Sequence, residues 1–149
     1  MFRRFFGRDT PNAPDGDTAM AILFERGLRV DVVGEANYQD ALSLACGGRQ
    51  RDGVNHECIA ALIPEGANPF DPDAIEIRVE GRRVGYLNRQ AAQAYKPVRD
   101  ALAARGRIGA AHAMICGGWD RDHDDQGSFG VWLDMDPFTW LNEASSGKE

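Results

Sequence analysis

No apolar run in the chain approaches the roughly 18 residues that a membrane-spanning helix requires, because charge, glycine or proline interrupts each hydrophobic stretch within a few positions. A chain without a membrane span is expected. Cysteine is scarce: Cys46, Cys58 and Cys116 are odd in number and widely spaced, which excludes both a disulfide framework and a CxxC zinc knuckle. The thiols are expected to be buried and reduced, in a cytoplasmic protein. Positive charge is also in short supply. With 17 Lys+Arg against 23 Asp+Glu the net charge is -6, which excludes a protein that coats duplex DNA by bulk electrostatics, since such binding needs many cations to neutralise phosphates. Any nucleic-acid contact must therefore be local. There is no Ser-His-Asp order, no carboxylate pair in an evident pocket and no Gly-rich phosphate loop followed by Lys, so neither an enzyme nor a cofactor is expected.

What is present is enough apolar material for one core: 149 residues at 43% hydrophobic content argue for a single domain with tails. Met1-Phe2-Arg3-Arg4-Phe5-Phe6-Gly7-Arg8 is basic and aromatic but lacks the apolar region and small-residue cleavage site of a secretory signal. Asp9 to Asp17, with three Asp, two Pro, one Gly and one Asn, is too polar to order itself. The division expected is a flexible tail and linker over 1–18, a domain over 19–136 and a C-terminal tail over 137–149. Within that tail, Phe138-Thr139-Trp140-Leu141 suits either packing on the domain or an interface.

The periodicity is mostly that of strands. Leu28 to Val33 alternates before Gly34 breaks it, Cys58 to Pro64 is a continuous buried run, and Ala74 to Val79 alternates at period two. Glu80 to Arg83 makes a tight turn into Val84-Gly85-Tyr86-Leu87. Asn88 caps a helix from Arg89, with Ala92, Tyr95, Val98 and Leu102 on one face, a kink or restart at Pro97 and an end at Gly106. Tyr38 to Ala45 is ambiguous. Two further strands, Ile108 to Cys116 and Ser128 to Met135, flank an acidic loop. This order predicts a mainly β protein with one or two helices, a small barrel with a covering helix.

Three pieces, in order, resemble the HIRAN domain family: Val32-Val33-Gly34 leading into Tyr38; Asn68-Pro69-Phe70-Asp71-Pro72-Asp73-Ala74-Ile75; and Val84-Gly85-Tyr86-Leu87-Asn88-Arg89 opening a helix. The resemblance runs from about Val30 to about Leu133 and implies an OB-like barrel in a stand-alone, bacterial-type member. In eukaryotic chromatin-remodelling helicases such domains capture single-stranded DNA 3′ ends. The resemblance therefore implies a non-catalytic module for single-stranded DNA or 3′ DNA ends, acting in DNA repair, with a helicase or nuclease as a possible partner. It places Phe70 and Asp71 against the terminal nucleotide, and Tyr38, Asn37, Tyr86 and Arg89 along the strand. The chemistry is consistent: an aromatic face stacks any base, a carboxylate accepts from a free 3′-hydroxyl, and Arg89 pairs with phosphate. One departure is visible. Where DNA-binding members carry an Arg-Tyr pair after the first-strand glycine, this chain has Ala36-Asn37, with Tyr38 one position later. The alternative reading keeps the barrel as a protein-interaction module without DNA binding.

Metal readings are weaker. Asp120, Asp122 and Asp124 alternate as in an EF-hand, but position six is Asp125 and position twelve Val131, so a solvated hairpin tip is expected. His56 with Cys58 and His112 with Cys116 are spaced so that zinc is not demanded.

Overall fold

The computed structural model describes residues 2–3, 20–66, 70–122 and 124–147. Six strands close into an antiparallel barrel: β3 (Arg29–Val33), β4 (Val54–Pro64), β5 (Ile75–Val79), β6 (Arg82–Leu87), β7 (Arg107–Gly117) and β10 (Phe129–Asp134), in the spatial order β7-β10-β3-β6-β5-β4 and back to β7. This is the small OB-like β-barrel expected from the sequence. Closure depends on β4 and β7, eleven residues each, which pair from Val54↔Gly117 to Leu62↔Gly109. The other edge of β7 is shared. β10 pairs with its second half, and β2 (Met20–Leu23) runs parallel to Arg107–Ala110 at its start. A strand at β2 was not anticipated, because four consecutive apolar residues carry no alternation.

Alternation turns Ile75, Ile77 and Val79 of β5 inward with Val84, Leu87, Ala60, Leu62, Ile115, Val131 and Leu133 to form the core. At the β5–β6 turn Glu80 (φ 52°) and Gly81 (φ 79°) are both left-handed, the two-residue loop that matches hairpin twist. Arg82 and Arg83, expected in that turn, instead begin β6.

Helix α2 (Arg89–Ala104) buries Ala92, Tyr95, Val98 and Leu102 as predicted, and the Asn88 side chain accepts the Ala91 amide as its cap. It runs through Pro97 without restarting. Pro97 lies on the exposed face, where a carbonyl left without its amide can turn to water. The ambiguous segment forms a 3-10 turn (Glu35–Tyr38) and α1 (Gln39–Cys46), which buries Leu42. The segment expected as a C-terminal tail carries α3 (Pro137–Ser145), with Asp136 accepting from the Phe138 and Thr139 amides. Trp140 packs 6.4 Å from Phe24, so Phe138 to Leu141 fold back on the domain. Phe2–Arg3, expected within the flexible tail, pair as β1 with Ile22 and Ala21. The acidic loop holds a short hairpin, β8 (Asp120–Asp122) with β9 (Asp125–Gln126).

The β3–β6 seam is thin, two residue pairs, Val32↔Leu87 and Val33↔Tyr86, and Gly85 lies against it. A Cβ there would meet Val32 Cγ1 at 2.5 Å and the Val33 carbonyl oxygen at 2.7 Å. Gly85→Ala is expected to lower stability by about 1–3 kcal/mol, a fall in Tm of roughly 2–12 °C for a chain of this size. A thermal melt identical to that of the parent chain would show that the seam yields freely.

Candidate nucleic-acid interface

Three segments distant in sequence meet at one cleft of about 410 Å³, lined by Val33, Gly34, Asp71, Ala74, Tyr86, Leu87 and Arg89. The end of β3, the loop before β5 and the junction of β6 with α2 each supply part of its wall. The loop is fixed at its base: the Glu65 amide donates to the Ala74 carbonyl, the Ala74 amide to the Asp71 carbonyl, and the Asp73 amide to Asp71 Oδ1 at 3.1 Å. Asp73 is in turn held against α2 by Gln93 (3.4 Å), Lys96 (3.7 Å) and Arg99 (3.4 Å). Phe70, next to the anchored Asp71, is 92% exposed. A large aromatic side chain presented to solvent on a braced loop is an unusual use of apolar surface. Asn68 and Pro69 of the same motif lie outside the described residues.

Asn37 and Tyr38 stand apart. With Ala36, Gln39, Asp40 and Ala41 they line a second concavity of about 450 Å³. The 3-10 turn that carries them is pinned at both ends to β10. Glu35 Oε2 accepts the Val131 amide, while Gln39 accepts the Phe129 amide at 2.8 Å and donates to its carbonyl at 2.9 Å. Arg83 reaches one tyrosine of each concavity. Its guanidinium lies 5.9 Å from the Tyr38 ring and 5.5 Å from the Tyr86 ring, donates to the Tyr38 hydroxyl, and pairs with Glu76 at 3.0 Å and Glu65 at 3.5 Å. The Tyr38 hydroxyl and then, against burial, Glu76 hold Arg83 in its charged form, raising its pKa. Burial and then, against the Arg83 charge, neighbouring Glu65, whose carboxylate accepts from the Tyr86 hydroxyl at 3.2 Å, push the Tyr86 phenol up to about 12. Tyr86 is therefore a neutral donor at physiological pH, with its hydroxyl already engaged.

Among solved structures, the chain is similar to the HIRAN domain of human HLTF, at 21% identity, covering 78% of this chain and 83% of that chain, with a TM-score of 0.40. It is also similar to a protein from Lactobacillus plantarum, at 19% identity, covering 76% of this chain and 96% of that chain, with a TM-score of 0.39. No protein-family model and no curated protein matches the sequence.

Of the residues that carry the HIRAN resemblance in the sequence, the fold gathers Asp71, Tyr86 and Arg89 in one cleft and leaves Asn37 and Tyr38 in the next. Sequence reasoning missed Arg83 and Glu65. Strict alternation puts Arg83 and Tyr86, three apart, on opposite faces, but the register slips between Ile77 and Arg78, pairing Arg78 with Arg83 and Glu76 with Tyr86. Such a bulge turns the two side chains to the same side, and Gly85 was its only local signal.

The remaining candidates do not converge. His56 and Cys58 pair with inward-facing Ile115 and Ala113, while His112 and Cys116 pair with Ile59 and Asn55 on the other face. Among the described residues no group of three or more His, Cys, Asp or Glu is gathered as a metal site. The cysteines are half-buried rather than buried, and burial pushes the Cys58 thiol up to about 12, which makes it a poor nucleophile at neutral pH. No helix among the described residues is long and apolar enough to cross a membrane.

Proposed function

We propose that the chain is a non-catalytic nucleic-acid-binding module that receives the 3′ end of a single DNA strand in the cleft formed by Asp71, Tyr86 and Arg89. The observation that carries this reading is the meeting of those three residues, from two separate segments, one position along the chain from the exposed Phe70. Three residues supply the recognition elements. Phe70 offers a π-face to a base, Arg89 has no ion-pair partner among the described residues and meets a phosphate, and Asp71 accepts from the terminal hydroxyl. A terminal phosphate in the hydroxyl's place brings no donor and sets like charges side by side. The net charge of -6 does not oppose this, because one end requires few phosphate contacts.

Fluorescence anisotropy with oligonucleotides identical except for a 3′-hydroxyl or 3′-phosphate tests the reading. The hydroxyl end is expected to bind about tenfold or more tightly, the scale of a hydrogen bond to a charged group. Asp71→Asn keeps an acceptor for the Asp73 amide, and so the turn, but removes the charge. It is expected to narrow the preference by admitting the phosphate end. Equal binding of both ends by the parent chain refutes end recognition.

A second reading, a protein-interaction module on the same barrel, is favoured by one observation: Ala36-Asn37 supply neither a cation nor an aromatic ring at the first-strand turn. Co-purification of a protein partner that survives nuclease digestion, together with no anisotropy change on any strand, supports it.

A further inference from the structure

We infer that Arg83 is the phosphate-binding cation of this interface, reaching one tyrosine of each concavity so that a strand seated in the first continues over Tyr38 into the second. The inference rests on the DNA reading above and adds a residue and a second nucleotide subsite to it. It starts from the gap at Ala36-Asn37, where neither residue brings positive charge. In three dimensions the gap is filled from β6. Arg83 lies against the rings of both Tyr38 and Tyr86, the only two tyrosines in the concavity walls, and its side chain retains 37% exposure.

A guanidinium has five N–H donors. Arg83 uses Nη1 toward the Tyr38 hydroxyl and Nη2 toward Glu76 and Glu65, while Nε has no partner among the described residues. A donor remains for a phosphate oxygen without any contact being broken. The cation is also held in place, since Glu76, 3% exposed, anchors it from below and two rings flank it. Glu65, 24% exposed, sits on the solvent side of the pair and competes with phosphate for the same guanidinium. The arrangement thus lets a phosphate reach the cation at Nε while Glu65 opposes it with like charge.

That competition makes the inference testable in two opposite directions. Arg83→Met keeps the stem and removes the charge. Anisotropy titrations of the full chain with a 3′-hydroxyl oligothymidylate over a range of salt are expected to show affinity falling about tenfold or more, and the slope of log K against log salt shallower by about 0.7, one phosphate contact on a single strand. Glu65→Gln removes the competitor, and affinity is expected to rise severalfold with the slope preserved, while the same charge change at exposed Glu143 on α3 moves affinity less than about twofold. A gain at Glu65 cannot come from misfolding, so it stands even if Arg83→Met is unstable. Binding by the parent chain with an unchanged salt slope in Arg83→Met and no gain in Glu65→Gln overturns the role of Arg83 alone. No binding by the parent chain overturns the DNA reading and this inference together.

Discussion

Phe70→Ala is expected to weaken single-strand binding by about 10- to 100-fold while leaving Tm unchanged. The two halves of that expectation have separate causes. Stacking a base on an aromatic ring is worth about 1–3 kcal/mol by alanine substitution, which spans roughly one to two decades of affinity. Stability should not respond, because a ring that is 92% exposed has little buried area to lose. The loop's own anchors, Asp71 to Asp73 and Asp73 to α2, do not involve the ring. Phe70→Trp should retain affinity and Phe70→Leu should lose most of it, since leucine keeps apolar area but has no π-face. The loss should be similar for oligothymidylate and oligoadenylate, because stacking reads no base edge. Anisotropy titrations paired with thermal melts check both halves. An affinity within twofold of the parent for Phe70→Ala would remove the ring from the interface.

The barrel strands were legible in the sequence because alternation writes itself into it. Ile75 to Val79 and the run into Pro64 each show a period of two or a continuous apolar stretch, and the helix from Arg89 shows spacings of three and four behind a capping Asn88. What escaped depended on partners far away in the chain. β2 exists because the start of β7 offers it an edge, and α1 is steadied by Gln39 reaching Phe129, 90 residues on. α3 took shape from Asp136 as its cap and from Phe24 as its packing surface, where the sequence showed Phe138 to Leu141 as suited equally to packing or to an interface. The candidate site divided along the same line. Phe70, Asp71, Tyr86 and Arg89 belonged to contiguous motifs and could be named. Arg83 could not, since a register slip, invisible to periodicity, turned it toward Tyr86.

The face of the sheet that carries Arg83 also holds a buried charge. Glu76 and Arg78 project to the side of β5 opposite Ile75, Ile77 and Val79, where a carboxylate would ordinarily be solvated, yet Glu76 is 3% exposed. It is covered by the groups that pair with it: Arg78 Nε is in direct contact, and Arg83 Nη2 is 3.0 Å away. Arg78 Nη1 further reaches the Gly81 carbonyl at 3.4 Å, tying the carboxylate to the β5–β6 turn. Arg78→Met fills similar space and removes the closest charge, so a buried carboxylate is left with Arg83 as its remaining cation. Breaking a buried ion pair from one side costs about 3–5 kcal/mol, and with Arg83 in place the lower end applies, a fall in Tm of roughly 6–12 °C. Arg78→Lys should recover only part, since a single ammonium cannot serve both Glu76 and the Gly81 carbonyl with a planar fork. Replacing both partners, Glu76→Leu with Arg78→Met, should restore most of the loss, because an apolar pair has no charge to strand and isosteric replacement of buried ion pairs is often neutral. Chemical denaturation of the four chains closes this cycle. If Arg78→Met alone melts within about 0.5 kcal/mol of the parent, an ordinary surface substitution, then Arg83 suffices to hold Glu76 and the burial of that carboxylate owes nothing to Arg78.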